Sequence, residues 1–334
     1  MTSYYAERIG QAILTVFAVV TLTFGMIRLM PGGPVDYIRA QMIQEAGGSV
    51  DYERINRQVE LYTNVAPDEP LLNQYVDYVG SLLQGNLGQS VQQNEPVAEI
   101  LGSALPWTVY IMSVSLVLTF GIGITLGAAM AYAEGSRFDS VSSLLSILLN
   151  SIPYYIAAIV LIYFLGSQWA VLPTQGRVKA GLESGTLAWY LSVVKHSIMP
   201  IASYVVTAFG VQALAMRGNS IRVIGEDYLR VARLRGLSRR VIALRYIGRN
   251  AVLPMYTTMM ISIGFMFGGA VILEEIFTYP GIGYYMFQAI NTRDYPLMMG
   301  AFLIITLAVV VGVLFADLTY GKIDPRAERG GEDV

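Results

Sequence analysis

Long apolar runs alternate with polar connections along this chain of 334 residues, and their lengths set the first expectation. The runs lie near 9–30, 105–132, 141–166, 197–216, 251–273 and 297–318, and each approaches the ~20 helical residues that cross a bilayer. They predict an all-α polytopic membrane protein with six transmembrane helices. The first run is longer than the apolar part of a signal peptide, and no small-residue cleavage site follows it, so it reads as a retained span. No solenoid or inverted-half repeat stands out, which weighs against a secondary transporter.

The polar connections differ in sign. Between 31 and 104, acidic residues such as Asp36, Glu60, Asp68, Glu69 and Asp77 face only Arg39, Arg54 and Arg57. The connection after the fourth run reverses this, with Arg217, Arg222, Arg230, Arg233, Arg235, Arg239, Arg240, Arg245 and Arg249 against Glu226 and Asp227. Cationic connections stay on the cytoplasmic side, so the arginine loop is expected there, with both termini, and the acidic segment outside.

Within the external segment, "LLNQYVDYVGSLL" places Leu72, Tyr75, Val76, Val79, Leu82 and Leu83 at helical spacing. An amphipathic helix is expected, begun by Pro70 and ended by "GNLG" at Gly85–Gly88, with "PGGP" at Pro31–Pro34 turning the chain out of the first span. This segment is either packing and lid structure or part of a gate. In the arginine loop, Ile221, Ile224, Tyr228, Val231 and Ala232 share a helical face, with Arg222, Arg230 and Arg233 away from it. A helix over about 221–235 is expected, with Gly236 in the left-handed stop position and Ser238 capping the run into the fifth span.

Three roles compete for that loop. The arginines could fix topology and touch membrane lipid, bind nucleic acid, or flank a helix that docks on a cytosolic partner. Nucleic acid is disfavoured, because the loop lies at the membrane and lacks interleaved stacking aromatics. The defined start, stop and apolar stripe favour docking over topology alone.

Composition narrows the chemistry. The chain is 54% hydrophobic and 14% charged, with mean hydropathy +0.51 and a formal charge of −2. It has no cysteine, which excludes disulfides, thiolate metal sites and cysteine nucleophiles. The sole histidine, His196, stands beside Lys195 with no partner ligands in sequence, and no catalytic or metal role is assigned to it. H-E-x-x-H and G-x-S-x-G motifs are absent. So is a phosphate loop, since Gly321-Lys322 is followed by Ile323; this chain is not expected to be an enzyme, and no cofactor is expected in it.

Candidate pathway residues remain. Pro153 removes a backbone hydrogen bond inside the third span, and Asn150 and Ser151 bring polar groups beside it, as a helix lining a cavity would. Gly264, Gly268 and Gly269 allow close packing or a bend in the fifth span. Glu274 and Glu275 end that span and Asp317 lies near the end of the sixth, where they form salt bridges or serve transport. The third and fifth spans are expected to line the route.

"EDYLRVARLRGLSRRVIALRYIGRNAVLP" resembles the EAA loop of ABC importer permeases in the dipeptide, oligopeptide and nickel branch, of the first-permease type. Arg230, Val231 and Ala232 align with the three-residue core, followed by three residues and then Gly236; only the alanine and glycine match the general signature, and Leu253-Pro254 lies further on than in its shortest form. The likeness extends through "MPGGP", "GNLGQSV", "SIPYYIAAIVL", "VLPTQG", "MFGGAVILEEIFTYPGIGYYMFQAINTRDYPLMMG" and "ADLTYGKIDPR". It implies the type I ABC importer permease fold, divided into 1–30, an external 31–104, a core at 105–320 containing the cytoplasmic coupling loop 217–250, and a tail at 321–334. It also implies a second homologous permease, two ATPase subunits that hold ATP and Mg2+, and an external or periplasmic binding protein that delivers substrate. Glu226, Tyr228, Arg230, Ala232, Arg233, Arg235 and Gly236 are the implied coupling residues, and the Glu274–Glu275 and "YPGIG" region lies near an external gate. Peptides come first as substrate, with oligosaccharides and nickel in related members, and a stand-alone ion-coupled transporter is the alternative.

Overall fold

A computed structural model of the chain describes residues 2–29, 33–45, 51–238 and 241–323. Met30 to Gly32 of the expected turn, Arg239, Arg240, the tail from residue 324, and the side chains of Arg233 and Asp317 lie outside what is described. Among the described residues every regular element is a helix: α1 (Thr2–Leu29), α2 (Pro34–Glu45), α3 (Tyr52–Thr63), α4 (Leu71–Leu83), α5 (Val97–Tyr132), α6 (Arg137–Asn150), α7 (Tyr154–Leu161), α8 (Leu187–Ile224), α9 (Asp227–Leu234), α10 (Arg249–Ile276), α11 (Ile282–Thr292) and α12 (Tyr295–Ile323). A π-helical turn, Ile162–Gln168, continues α7, and another, Ile242–Gly248, leads into α10.

Four helices among the described residues are long and apolar enough to cross a membrane, in α1, α5, α8 and α12, and α6 with α7 makes a fifth if the bent pair is one span. The fifth apolar run lies within α10, 28 residues long. At 1.5 Å per residue the 38-residue α8 is about 57 Å long, well beyond the ~30 Å hydrocarbon core, so its ends stand in headgroups or water. The third run differs from expectation: Pro153 does not kink a continuous helix but begins α7 with extended ψ, and the two helices meet at 91°. A proline offers no N–H to bridge back over Ser151 and disfavours helical backbone in the residue before it, so the helix ends there and a new one starts.

The chain divides into two compact units, one of residues up to Thr108 with Pro280–Leu314, the other of Val109–Tyr279 with the residues from Phe315 on. In the first, Phe24 and Ile27 of α1, Val35 and Ile38 of α2, Ile55 and Val59 of α3 and Tyr78 of α4 form one apolar cluster with Met299. Asp51 caps α3 by accepting from the Arg54 N–H, and Asn64 closes it in the left-handed region. Helix α4 begins after Pro70 and ends before Gly85 at φ +78°, as its sequence predicts. Its buried face is another matter: Gln74 and Tyr78 are buried, Tyr75 and Leu82 pack on the cluster, and Leu72, Val76 and Leu83 are exposed. Gln74 turns inward because its amide is used twice, accepting from Arg28 Nε at 2.9 Å and donating to the Glu69 carbonyl. Burial of the Tyr78 ring pushes its hydroxyl above the ordinary tyrosine range.

In the second unit α6, α7 and α10 all pack on α8. Contact is close where α8 lacks a side chain: a Cβ at Gly210 would stand 2.4 Å from the Ser146 carbonyl oxygen of α6. Gly123 and Gly127 of α5 admit Gln212, Ala213 and Met216 in the same way. Gly268 of α10, expected to allow close packing, has nothing within 4 Å of its missing Cβ and is exposed in this chain. Gly210→Leu should therefore separate α6 from α8 and destabilise the protein by about 1–3 kcal/mol or more, read as a lower unfolding temperature in detergent. Unchanged unfolding would show that this contact is not tight.

Candidate functional site

Two features of the second unit stand out, a short amphipathic helix on a polar loop and the broken helix pair. The loop helix is shorter than expected. Residues up to Ile224 continue α8, the chain bends at Gly225 and Glu226, and α9 spans Asp227–Leu234. Gly225 ends α8 by returning its N–H to the Ile221 carbonyl, and the fresh start re-phases the apolar face. Leu229 and Ala232, at 1% and 2% exposure, point inward and pack on Ile242, with Val223, Leu237, Tyr246 and Ile247 around them.

On the other side Tyr228, Val231 and Leu234 form a stripe, Val231 53% and Leu234 80% exposed, flanked by exposed Arg230 and Arg235. Tyr228 also ties α9 back to the chain: its ring stacks on Tyr246 at 6.5 Å, and its hydroxyl accepts from the Asn250 amide at 3.1 Å. Gly236 has φ +69°, the left-handed value its place after α9 predicts. Ser238 accepts from the Val241 N–H at 3.4 Å, just ahead of the π-helical turn that leads into α10, which itself has no side-chain cap. The expected single face of Tyr228, Val231 and Ala232 is thus divided, with Ala232 buried against the protein and the other two turned outward.

One strong interaction near this loop has no local sequence signal. Arg217, on α8, forks onto Asp139 in the first turn of α6, with Nε to Oδ1 at 2.5 Å and Nη2 to Oδ2 at 2.7 Å, and Gly135 donates its N–H to the same carboxylate. Such two-point charge-assisted pairs are rigid as well as strong. They lie 78 residues apart, so the sequence shows Arg217 only as one more loop cation.

At the helix break Asn150 ends α6, Ser151 donates to the Ile147 carbonyl at 2.9 Å, and Asn150 to Pro153 are all exposed in this chain. Beyond the break α7 packs on α8 and α10. Glu274 is fully buried and Glu275 half-buried at the end of α10, and both are engaged in polar or electrostatic contacts. Next to them Tyr279 is buried, which pushes its hydroxyl up, with Tyr110 and Glu274 adding to the shift and Arg177 opposing it. The expected pathway residues therefore occupy separate places: the break, the exposed face of α10 at Gly268, and the α10 terminus. Among the described residues no three His, Asp or Glu side chains converge as a metal site.

Comparison with known proteins bears on what such an arrangement serves. Residues 123–329 match the family described as binding-protein-dependent transport system inner membrane component. The di/tripeptide transport system permease protein DppB of Pseudomonas aeruginosa is 32% identical, with 98% of each chain covered. The dipeptide transport system permease proteins DppB of Escherichia coli K12 and Bacillus subtilis are each 28% identical, again over 98% of both chains.

Proposed function

This chain belongs to the family of binding-protein-dependent transport system inner membrane components, and from that premise we propose that it forms one half of the pathway of an ATP-driven importer of di- and oligopeptides. It is a multi-pass membrane permease component. A second, similar permease supplies the other half, and two ATPase subunits, which bind ATP with Mg2+, sit on the cytoplasmic side. An external binding protein delivers the peptide, and both termini of this chain are cytoplasmic. Peptides are preferred to oligosaccharides or nickel because the relatives are named for di- and tripeptides.

The observation that carries this reading is the outward stripe of α9. Tyr228, Val231 and Leu234 are apolar, lie between arginines, and are held in place from behind by Leu229, Ala232 and Ile242. A helix presented in this way suits a groove on a partner. When the ATPases close, they push α9. The Tyr228–Tyr246 stack passes the displacement to α10, and the unbroken α8 passes it through Arg217 and Asp139 to α6, so that access alternates between the two sides. No bond is made or broken in this chain.

Affinity purification from native membranes in mild detergent should recover a second permease and ATPase subunits, and proteoliposomes of that assembly should take up labelled dipeptide only with ATP. A protein that purifies alone and takes up peptide on an ion gradient would instead be a stand-alone ion-coupled carrier. Gly236→Val tests the coupling loop: the site has open space, so the cost is backbone strain of about 1–2 kcal/mol from the left-handed conformation. Uptake should fall while ATP hydrolysis continues. Unimpaired uptake would remove Gly236 from coupling.

A further inference from the structure

At the opposite end of α8 from α9, the turn Ile162–Gln168, the connection that follows it and the first turns of α8 enclose a cleft of about 720 Å3. Leu172, Leu182, Leu191 and Val194 give it apolar walls, Lys179, Lys195 and His196 are its titratable groups, and no carboxylate lines it. Hydrogen bonds hold the Lys179 backbone and the His196 ring in place. Buried Ser192 accepts the Lys179 N–H on its hydroxyl at 2.9 Å, which ties the connection to α8. One turn on, His196 Nδ1 lies 2.7 Å from the Ser192 carbonyl; it donates there and leaves Nε2 as the ring nitrogen not committed to the helix. Neither lysine ammonium has an ion-pair partner among the described residues.

Two further features say what such a cleft would hold. Aromatic side chains surround its level: Tyr163, Phe164 and Trp169 in one group and Trp189 with Tyr190 in another, with Tyr163, Trp169 and Tyr190 exposed. Tryptophan and tyrosine collect where hydrocarbon meets headgroups, so the cleft lies at that depth. Along its α8 wall, Leu187, Leu191, Val194 and Ile198 are all exposed and repeat at i, i+4, i+7 and i+11, an apolar stripe that runs through the cleft to one turn past Lys195. An anion-compatible cleft at headgroup depth thus carries beside its cations an apolar strip of the kind an acyl chain packs on.

We infer that this cleft binds an anionic phospholipid, its phosphate diester between Lys179, Lys195 and His196 and one acyl chain along the α8 stripe. A peptide carboxylate would use the same cations but has no need of the stripe. Zwitterionic lipid would use the stripe and leave the two lysines without a net countercharge.

The test uses the full-length protein with whatever subunits accompany it, observed by native mass spectrometry while phosphatidylglycerol or phosphatidylcholine is titrated in. The wild type should bind phosphatidylglycerol in preference, and Lys179→Gln with Lys195→Gln should reduce that preference by about tenfold or more, since each lysine near an anionic lipid contributes ~1 kcal/mol. Both lysines are exposed, so the unfolding temperature of the lipid-free variant should match the wild type and separate lost binding from lost folding. Equal binding of the two lipids by the wild type, or an unchanged preference in the variant, would overturn the site. Displacement by the deacylated headgroup glycerophosphoglycerol as strong as by the lipid would remove the acyl track, and with it the lipid assignment. Displacement by dipeptide would make the cleft a substrate vestibule and overturn the proposal.

Discussion

Val231→Asp with Leu234→Asp should abolish ATP-driven uptake and release the ATPase subunits from the purified assembly, while the permease itself unfolds at its normal temperature. Both side chains are mostly solvent-exposed in this chain, so replacing them costs little within it. In a partner groove each would bury an apolar side chain worth about 1.5–3 kcal/mol, and an aspartate there adds an unpaired charge. Losing ~3 kcal/mol weakens association by about a hundredfold. Leu229→Asp makes the contrast, because it places the charge under α9 and should destabilise the permease directly. Retention of the ATPases by the Val231 and Leu234 double variant would exclude α9 as the docking element.

The second large effect is expected in the first unit. Asp294 is fully buried just before α12, and its carboxylate accepts from three donors: the Ser90 hydroxyl at 2.5 Å, the Gln92 N–H at 3.1 Å and the Leu297 N–H at 3.2 Å. Ser90 in turn accepts from the Gln93 N–H. One carboxylate thus caps α12 and pins the connection before α5. Asp294→Ala leaves those donors without their acceptor and should cost about 3 kcal/mol or more, read as a lower unfolding temperature. Asp294→Asn keeps the shape but turns one acceptor atom into a donor, and should fall between. An alanine variant as stable as the wild type would show that water replaces the carboxylate there.

Legibility tracks the range of each interaction. Apolar run length marks where membrane helices lie, and a single glycine marks the left-handed stop after α9, because both are properties of a few neighbouring residues. Helical periodicity shows that α4 and α9 have apolar faces but not which side each one serves. A short helix that packs on its own chain and also offers apolar residues outward has two such faces, so Leu229 and Leu234 look alike in sequence and differ completely in burial. Helix α3 is easily missed inside an acidic segment, although Asp51 as a cap and Ile55, Val59 and Thr63 four residues apart already spell it out. Asp139 with Arg217, and Asp294 with Ser90, are separated by 78 and 204 residues and leave no local pattern at all. Pro153 is legible as a perturbation, but the size of its effect depends on α7 having α8 and α10 to pack against after the turn.

The break at Asn150–Pro153 bears on how the subunit survives before assembly. Where α6 and α7 serve as one broken span, their two ends lie within it, and each backbone group there that lacks a partner costs several kcal/mol in hydrocarbon, so irregular backbone at that depth needs protein or water over it. Alone in the bilayer, this chain exposes that stretch. A copy with no protein over this turn is therefore poorly solvated there. In the assembly proposed above, covering this turn is a task for a neighbouring subunit.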